Sequence, residues 1–187
     1  MTAADFFRRI SGLLEQAGIP HMLTGSFASS VYGMSRGSAD IDLVIAADEP
    51  DIRRLLNQLP RKDFYSDLNQ ALEACQRNSM FNAVDHVTGL KIDFVFLKLR
   101  NFSQEEFRRR KQAIVWGVPL YIATPEDIVI SKLEWEQLGE SSRQTEDAAG
   151  ILKVRANELD FPYIEKWVAE LGLTSEWARA RQMADLE

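Results

Sequence analysis

Two short stretches, LTGS at residues 23–26 and SADIDLV at residues 38–44, carry most of the information about the architecture. The second stretch alternates acidic and apolar residues, as a β-strand does, so Asp40 and Asp42 stand on one face, roughly 7 Å apart. Two carboxylates on one face repel each other and are costly to desolvate. They suit Mg²⁺, which takes oxygen ligands, often one or two carboxylates together with substrate phosphates.

The first stretch indicates a short strand that turns into a helix. Residues 21–24 are a short apolar run, Gly25 and Ser26 follow, and residues 27–32 have the composition of a small-residue helix. Glycine permits close backbone approach, and a helix N-terminus presents free N–H groups and a positive dipole end to phosphate. The sequence therefore predicts either a phosphate-binding turn here or simply a strand-to-helix turn with serine as a cap.

A third carboxylate, Asp93, lies within the apolar run KIDFVFL at residues 91–97. Thr88 and Gly89 before it predict a hairpin between strands at residues 80–87 and 90–97. If the second of these strands neighbours the Asp40–Asp42 strand, three carboxylates converge. Three carboxylates suffice for two Mg²⁺ ions about 3.5–4 Å apart, the arrangement used for in-line phosphoryl displacement. The alternatives are an acidic solvent face at residues 40 and 42, and a strand-edge charge at residue 93.

Composition narrows the class of protein. The 187 residues include 28 acidic and 22 basic side chains, a net charge of −6, which argues against indiscriminate binding to nucleic acid. One cysteine and two histidines exclude an internal disulfide and make a thiolate or multi-histidine metal site improbable. No apolar run approaches the roughly 18–20 residues of a membrane span, and the amphipathic N-terminal stretch, which carries Asp5 and Glu15, resembles neither a secretory signal nor an acid-poor transit peptide. We therefore expect a cytoplasmic protein without membrane association.

The distribution of elements predicts an α+β fold. Strands are predicted in the middle of the chain, with helices at its start and between them. Thr124-Pro125 begins a run of helices that continues to the end. Those helices are predicted at residues 125–138, 142–154, 161–171 and 175–184. We therefore expect a mixed sheet flanked by helices over residues 1–123 and an all-helical part over residues 124–187.

The Gly25-Ser26 pair, the DID strand and the later strand aspartate resemble the nucleotidyltransferase superfamily built on the DNA polymerase beta fold. That family combines a Gly-Gly or Gly-Ser pair, a helix, an Asp-x-Asp or Asp-x-Glu strand and an aspartate on a later strand. The resemblance covers residues 20–97. It implies that Asp40, Asp42 and Asp93 are catalytic metal ligands and that Gly25 and Ser26 bind the nucleotide.

Two further segments resemble bacterial stand-alone nucleotidyltransferases, among them the AbiEii-like type IV toxins. The sequence RGSAD at residues 36–40 matches their Arg-x-Ser-x-Asp pattern, and PEDIVISKL at residues 125–133 matches their Pro-Glu-Asp-x-x-x-x-Lys-Leu helix. The resemblance implies that Arg36 and Ser38 bind nucleotide and that Lys132 contacts its phosphates. The alternatives are solvent or structural roles for Arg36 and Lys132.

The segment RQTED at residues 143–147 resembles the basic-x-x-x-Asp step on the next helix of these proteins. The resemblance implies that Arg143 and Asp147 help to organise the nucleotide site. The alternative is an ordinary i,i+4 salt bridge between the two, which contributes a few tenths of a kcal/mol.

The family's chemistry implies Mg²⁺-dependent transfer of an NMP from an NTP such as ATP to an acceptor hydroxyl, with release of pyrophosphate. In that scheme Asp40 and Asp42 hold the metal on the triphosphate, while Asp93 completes a second metal site and activates the acceptor. The acceptor stays open among a tRNA or other RNA end, a protein hydroxyl and a small molecule, and so does a cognate antitoxin partner. The alternative is an inactive nucleotide-sensing or protein-interaction module of a toxin–antitoxin pair.

Overall fold

A computed structural model describes residues 3–33, 40–60, 62–139 and 143–186. They form two compact units, which we call the sheet unit (residues 3–24, 40–60 and 62–122) and the helical unit (residues 25–33, 123–139 and 143–186). The helical unit takes in residues 25–33 from the first part of the chain, so neither unit is a single stretch of sequence. The division of the chain at residues 123 and 124 stays a prediction.

The sheet unit is built on a mixed sheet of seven strands among the described residues. The strands are β1 (His21–Thr24), β2 (Asp40–Ile45), β3 (Phe64–Tyr65), β4 (Met80–Asp85), β5 (Lys91–Phe96), β6 (Lys111–Val115) and β7 (Val118–Ile122). Their order is β3-β4-β5-β2-β1-β7-β6. The β2–β5 and β1–β7 pairs are parallel, and the other neighbours are antiparallel. The predicted hairpin is confirmed, because β4 and β5 pair on either side of the Thr88-Gly89 turn.

The two faces of the central strands differ in burial. On β2 the alternate residues Ile41, Leu43 and Ile45 are buried, whereas those between them are half-buried or exposed. Strand β4 follows the same alternation, whereas β5 departs from it at the buried Asp93, and Phe81 stacks on Phe94 with ring centroids 4.9 Å apart. This pattern leaves the opposite face of β2, with its carboxylates, on the more accessible side of the sheet.

Four helices complete the sheet unit, α1 (Ala3–Gln16), α3 (Glu49–Gln58), α4 (Leu68–Arg77) and α5 (Asn101–Arg109). Helix α3 begins at a capping box between Asp48 and Asp51, and α4 begins at Asp67, whose side chain accepts bonds from two backbone N–H groups. Asn78 ends α4 in the left-handed conformation that asparagine tolerates. These local hydrogen bonds determine where α3 and α4 begin and where α4 ends.

Two features of this unit differ from the sequence prediction. The sequence of residues 102–112 predicts a basic helix, but α5 ends at Arg109, because Arg110 leaves the helical conformation and Lys111–Val115 pair with β7 as a strand. Pairing with a neighbouring strand thus overrides the helical character of the local sequence. Strand β3 was not predicted, since two residues are too short to show a periodic pattern.

The helical unit consists of α2 (Gly25–Tyr32), α6 (Pro125–Gln137), α7 (Arg143–Arg155), a 3₁₀ turn (Ala156–Glu158), α8 (Phe161–Leu171) and α9 (Thr174–Met183). Helix α2 packs on α6 and α7. A Cβ placed on Gly33, just after α2, would lie 3.0 Å from the backbone nitrogen of Ile151, so a larger residue requires the neighbouring backbone to shift. Together the two units confirm the α+β class. Along the described residues, none of the helices has both the length and the apolar character needed to cross a bilayer.

Candidate active site

A row of polar residues crosses four neighbouring strands of the sheet. In the pairing register Asn82 of β4 lies opposite Asp93 of β5, Asp93 opposite Asp42 of β2, and Asp42 opposite Thr24 of β1. Residues directly opposite each other in a sheet share a face, so all four side chains project from the same side. The predicted adjacency of the Asp93 strand and the Asp40–Asp42 strand is confirmed.

The three carboxylates differ in exposure. The Asp40 side chain is 56% exposed and the Asp93 side chain 8% exposed, while Asp42 is half-buried. Asp40 lies opposite Lys91 in the register, two residues before the Asp42–Asp93 pair and on the same face. The arrangement runs from a buried carboxylate to one in contact with solvent.

Lys91 lies among these carboxylates and was not predicted from the sequence. Its Nζ is 2.9 Å from Oδ2 of Asp93 and 3.5 Å from Oδ1 of Asp40. The hydrogen bond to Asp93 raises the pKa of Lys91 above its ordinary value, so the ammonium stays charged. The signal was present in the sequence, since Lys91 and Asp93 alternate with Ile92 on one strand and therefore share a face.

Asp40, Asp42 and Asp93 offer the oxygen atoms that a hard cation prefers, but their side chains are not arranged as a complete coordination site. Across residues 3–33, 40–60, 62–139 and 143–186, no group of three or more His, Cys, Asp and Glu side chains is arranged to hold a metal ion. Asp93 nevertheless has a buried Oδ1 with no hydrogen-bond partner among the described residues. An all-oxygen set with one buried oxygen unused fits the ligand chemistry of Mg²⁺. Lys91 is the positive charge that stands beside it.

The helical unit contains a second charged cluster, centred on Lys132 of α6. The Lys132 Nζ lies 2.9 Å from Oγ of Ser26, 2.9 Å from Oε1 of Gln144 and 2.9 Å from Oδ2 of Asp147. An ammonium has three protons to donate, and here each has an acceptor. The structure thus brings together three residues that the sequence assigned to the nucleotide, Ser26, Lys132 and Asp147. Gln144 was missed, although it lies one helical turn before Asp147.

The start of α2 has the backbone that the Gly-Ser pair predicts. Gly25 has a φ of 70°, in the left-handed region that favours glycine, and it opens the helix directly after β1. Ser26 follows, with its hydroxyl accepting from Lys132. The first N–H groups of a helix have no partner within it, so this end suits an anion.

Three further residues were predicted to bind or organise the nucleotide, Arg36, Ser38 and Arg143. Arg143 lies exposed at the start of α7, and Asp147 forms its ion pair with Lys132. Arg36 and Ser38 lie outside the described residues.

The Pro-Glu-Asp start of α6 serves the framework of the helical unit. Asp127 is fully buried and accepts hydrogen bonds from the hydroxyls of Thr124, at 2.6 Å, and Tyr163, at 2.5 Å. Glu126 accepts from the backbone N–H of Asp160, which begins α8. These two acids therefore join α6 to α8, whereas Lys132 of the same helix belongs to the charged cluster.

No protein-family model matches the sequence, and no curated protein matches it. Solved structures do resemble it in fold. An antigenic nucleotidyltransferase-like protein from Paracoccidioides brasiliensis is 17% identical, with a TM-score of 0.56 over 90% of this chain and 88% of that one. The antibiotic-resistance factor ANT(2")-Ia, in complex with adenylyl-2"-tobramycin, is 13% identical, with a TM-score of 0.60 over 92% and 98% of the chains.

A third structure, the lincosamide antibiotic adenylyltransferase LnuA with lincomycin bound, is 13% identical, with a TM-score of 0.51 over 81% of this chain and 98% of that one. These likenesses agree with the polymerase-beta-like fold predicted from the Gly-Ser and Asp-x-Asp pattern. The AbiEii-like subtype stays a prediction. The chain has the fold of nucleotidyltransferase-like proteins.

Proposed function

We propose that this protein is a Mg²⁺-dependent nucleotidyltransferase, which moves an NMP from an NTP to an acceptor hydroxyl and releases pyrophosphate. The observation that carries the proposal is the pairing of Asp42 with Asp93 on adjacent parallel strands, with Asp40 two residues away on the same face. Three carboxylates on one face of a sheet supply the oxygen ligands that Mg²⁺ takes. The fold supports the same proposal.

We assign the metal to Asp40, Asp42 and Asp93. Bound Mg²⁺ supplies charge neutralisation and Lewis acidity at the phosphate oxygens. In the reaction a bond forms between the acceptor oxygen and the α-phosphorus, and the bond from that phosphorus to the bridging oxygen breaks. We assign the hydroxyl proton to Asp93, which is the most buried of the three carboxylates and has an unused oxygen.

We assign phosphate binding in the helical unit to the N-terminus of α2. Lys132 already donates to Ser26, Gln144 and Asp147, so we give it the role of a positioning residue that fixes the Ser26 hydroxyl. A direct contact between Lys132 and a phosphate, as the family resemblance implies, requires one of these acceptors to be given up.

The acceptor is the open part of this proposal. ANT(2")-Ia and LnuA were solved with an adenylylated antibiotic and an antibiotic, respectively. We therefore propose a small hydroxylated molecule as the acceptor. A tRNA end and a protein hydroxyl are the two other acceptors to be tested. A toxin role with a cognate antitoxin, and a cytoplasmic location, stay predictions.

The proposal is tested by incubating the protein with each of four α-labelled NTPs and Mg²⁺, against small hydroxylated compounds, total RNA and protein. We expect label transfer by the wild type and by Glu73→Gln, which removes an exposed carboxylate of the same unit. Label transfer should be lost in Asp42→Asn/Asp93→Asn. Equal transfer by the double variant contradicts the proposal.

A second candidate is an inactive nucleotide-sensing or protein-interaction module. The contact of Lys91 with Asp93 and Asp40 favours it, because an internal cation already neutralises part of the carboxylate set. This candidate predicts NTP binding without turnover, or a protein partner without NTP binding. Binding by calorimetry, run beside the transfer assay, separates the two functions.

A further inference from the structure

The contact between Lys91 and the carboxylate set has a consequence for metal binding. The Lys91 ammonium bridges the buried Asp93 and the exposed Asp40, at 2.9 Å and 3.5 Å from their nearest oxygens. A divalent cation bound by the same oxygens would stand next to this positive charge. Like charges repel, and both cations would need the same Asp93 and Asp40 oxygens, so metal binding competes with the Lys91 ammonium.

The burial of Asp93 explains why its carboxylate needs a positively charged partner when no metal is bound. Asp93 is buried, Oδ2 contacts Lys91, and Oδ1 has no hydrogen-bond partner among the described residues. An ionised carboxylate held in a protein interior is costly unless an opposite charge accompanies it. Lys91 is the positively charged partner that the structure gives Asp93.

The Lys91 side chain is also able to move away from the carboxylates. Its side chain is 35% exposed, so it has a route into solvent that does not disturb the core. A lysine carries a compact charge on a flexible four-carbon stem, which is easier to redirect than a bidentate arginine. The contrast is with Lys132, whose side chain is 5% exposed and has an acceptor for each proton.

We infer that Lys91 and a divalent cation occupy the Asp40–Asp93 carboxylates in turn, so that Lys91 holds these side chains in place without metal and swings out when metal binds. The inference rests on the metal site of the proposed function but not on nucleotidyl transfer. It makes Lys91 a positioning residue that lowers metal affinity in the free protein.

The test measures Mn²⁺ binding by electron paramagnetic resonance, in the absence of nucleotide and acceptor. We expect Lys91→Met to bind Mn²⁺ about 10-fold more tightly than the wild type, a size typical of changes around metal ligands. Lys98→Met is the matched control, because it removes the same charge from an exposed position in the same unit. Its Mn²⁺ affinity should remain that of the wild type.

Stability gives a second reading. Without metal, Lys91→Met should melt at a lower temperature than the wild type, because Asp93 loses its partner, and Mn²⁺ should raise its melting temperature by more. A purely structural role for Lys91 predicts the lower melting temperature without the gain in Mn²⁺ affinity. Equal or weaker Mn²⁺ binding by Lys91→Met, or no Mn²⁺ binding by either protein, overturns the inference.

A third measurement needs no variant and serves if Lys91→Met does not fold. Amine acetylation of the wild type, located by mass spectrometry, should increase at Lys91 when Mn²⁺ is added and stay constant at Lys98. An unchanged or lower reactivity at Lys91 overturns the inference. Since none of these measurements involves an NTP, they can succeed on a protein that transfers nothing, and transfer can be found while they fail.

Discussion

The two lysine–aspartate pairs of this protein are similar in chemistry and opposite in setting. In the sheet unit Lys91 is 35% exposed, and the Asp93 beside it keeps one buried oxygen without a partner among the described residues. In the helical unit the Lys132 and Asp147 side chains are 5% and 7% exposed, and the ammonium meets three acceptors at 2.9 Å. In the Lys91–Asp93 pair one carboxylate oxygen is unused and the lysine reaches solvent, so this pair suits exchange of one cation for another. The second is complete and enclosed, which suits a fixed framework.

The largest expected effect comes from opening the enclosed pair. Lys132→Met leaves Asp147 buried without its cation, and breaking a buried pair in this way costs about 3–5 kcal/mol of unfolding free energy. Urea denaturation measures it. The double variant Lys132→Met/Asp147→Leu should recover part of the loss, since no buried charge is then left over. A loss below about 1 kcal/mol would mean that the pair is not a framework element.

The corresponding change in the accessible pair should affect chemistry and not stability. Asp93→Asn is expected to reduce nucleotidyl transfer at least about 100-fold, which is about 2.7 kcal/mol. Its unfolding free energy should change by less than about 1 kcal/mol, because Lys91 reaches solvent and the amide still accepts a hydrogen bond. The transfer assay and urea denaturation, with Glu73→Gln as control, measure the two effects. A large loss of stability with transfer retained would reverse the assignment of roles.

The two units also differ in how closely atoms pack around one of their glycines. Gly33→Ala in the helical unit places a Cβ 3.0 Å from the backbone of Ile151 and should cost about 1–3 kcal/mol. Gly12→Ala in α1 of the sheet unit meets nothing within 4 Å and lies inside a helix, so it should stabilise the protein by up to about 1 kcal/mol. Thermal melting of both variants measures the contrast. Equal effects would mean that α2 does not pack closely on α7.

The smallest effect is a pH dependence carried by the sheet unit. Burial lowers the pKa of His21 below its ordinary value, and its Nε2 has no hydrogen-bond partner among the described residues. Below about pH 6.5 the unfolded chain takes up a proton at this residue that the folded chain does not. Stability should therefore fall as the pH falls through 6.5, with a slope of at most about 1.4 kcal/mol per pH unit.

Urea denaturation at pH 5.5 and pH 7.5 measures that slope. It should shrink in His21→Leu and persist in His86→Gln, which changes the other, exposed histidine. An unchanged slope in His21→Leu would assign the pH dependence to another group.

The sequence predicted those parts of the protein whose signals are local. The Asp-x-Asp alternation, the Thr-Gly turn and the Thr124-Pro125 helix start each follow from a few adjacent residues, and the structure has the elements they predict. The end of α5 and strand β3 were missed, because partners distant in sequence determine both.

The residues of the candidate site differ in the same way in whether local sequence identifies them. Asp40, Asp42, Asp93, Ser26 and Lys132 could be named from motifs. Asn82 and Gln144 could not, because their neighbours depend on strand register and helix packing. Lys91 was overlooked although it alternates with Asp93 on one strand, and its position opposite Asp40 depends on strand register. The exchange of cations that we infer at Asp93 therefore lay beyond the motif.

The parallel pairing of β2 with β5 also bears on how the protein is made. Asp42 and Asp93 are neighbours in the sheet although 51 positions separate them in the chain (93 − 42). Such non-local pairing pays the entropy of closing a long loop before it gains any contact, and it slows folding. A ribosome must release the chain beyond Phe96 before the two strands can join. The growing polypeptide consequently carries Asp42 and Asp93, two of the proposed metal ligands, apart until the central sheet has formed.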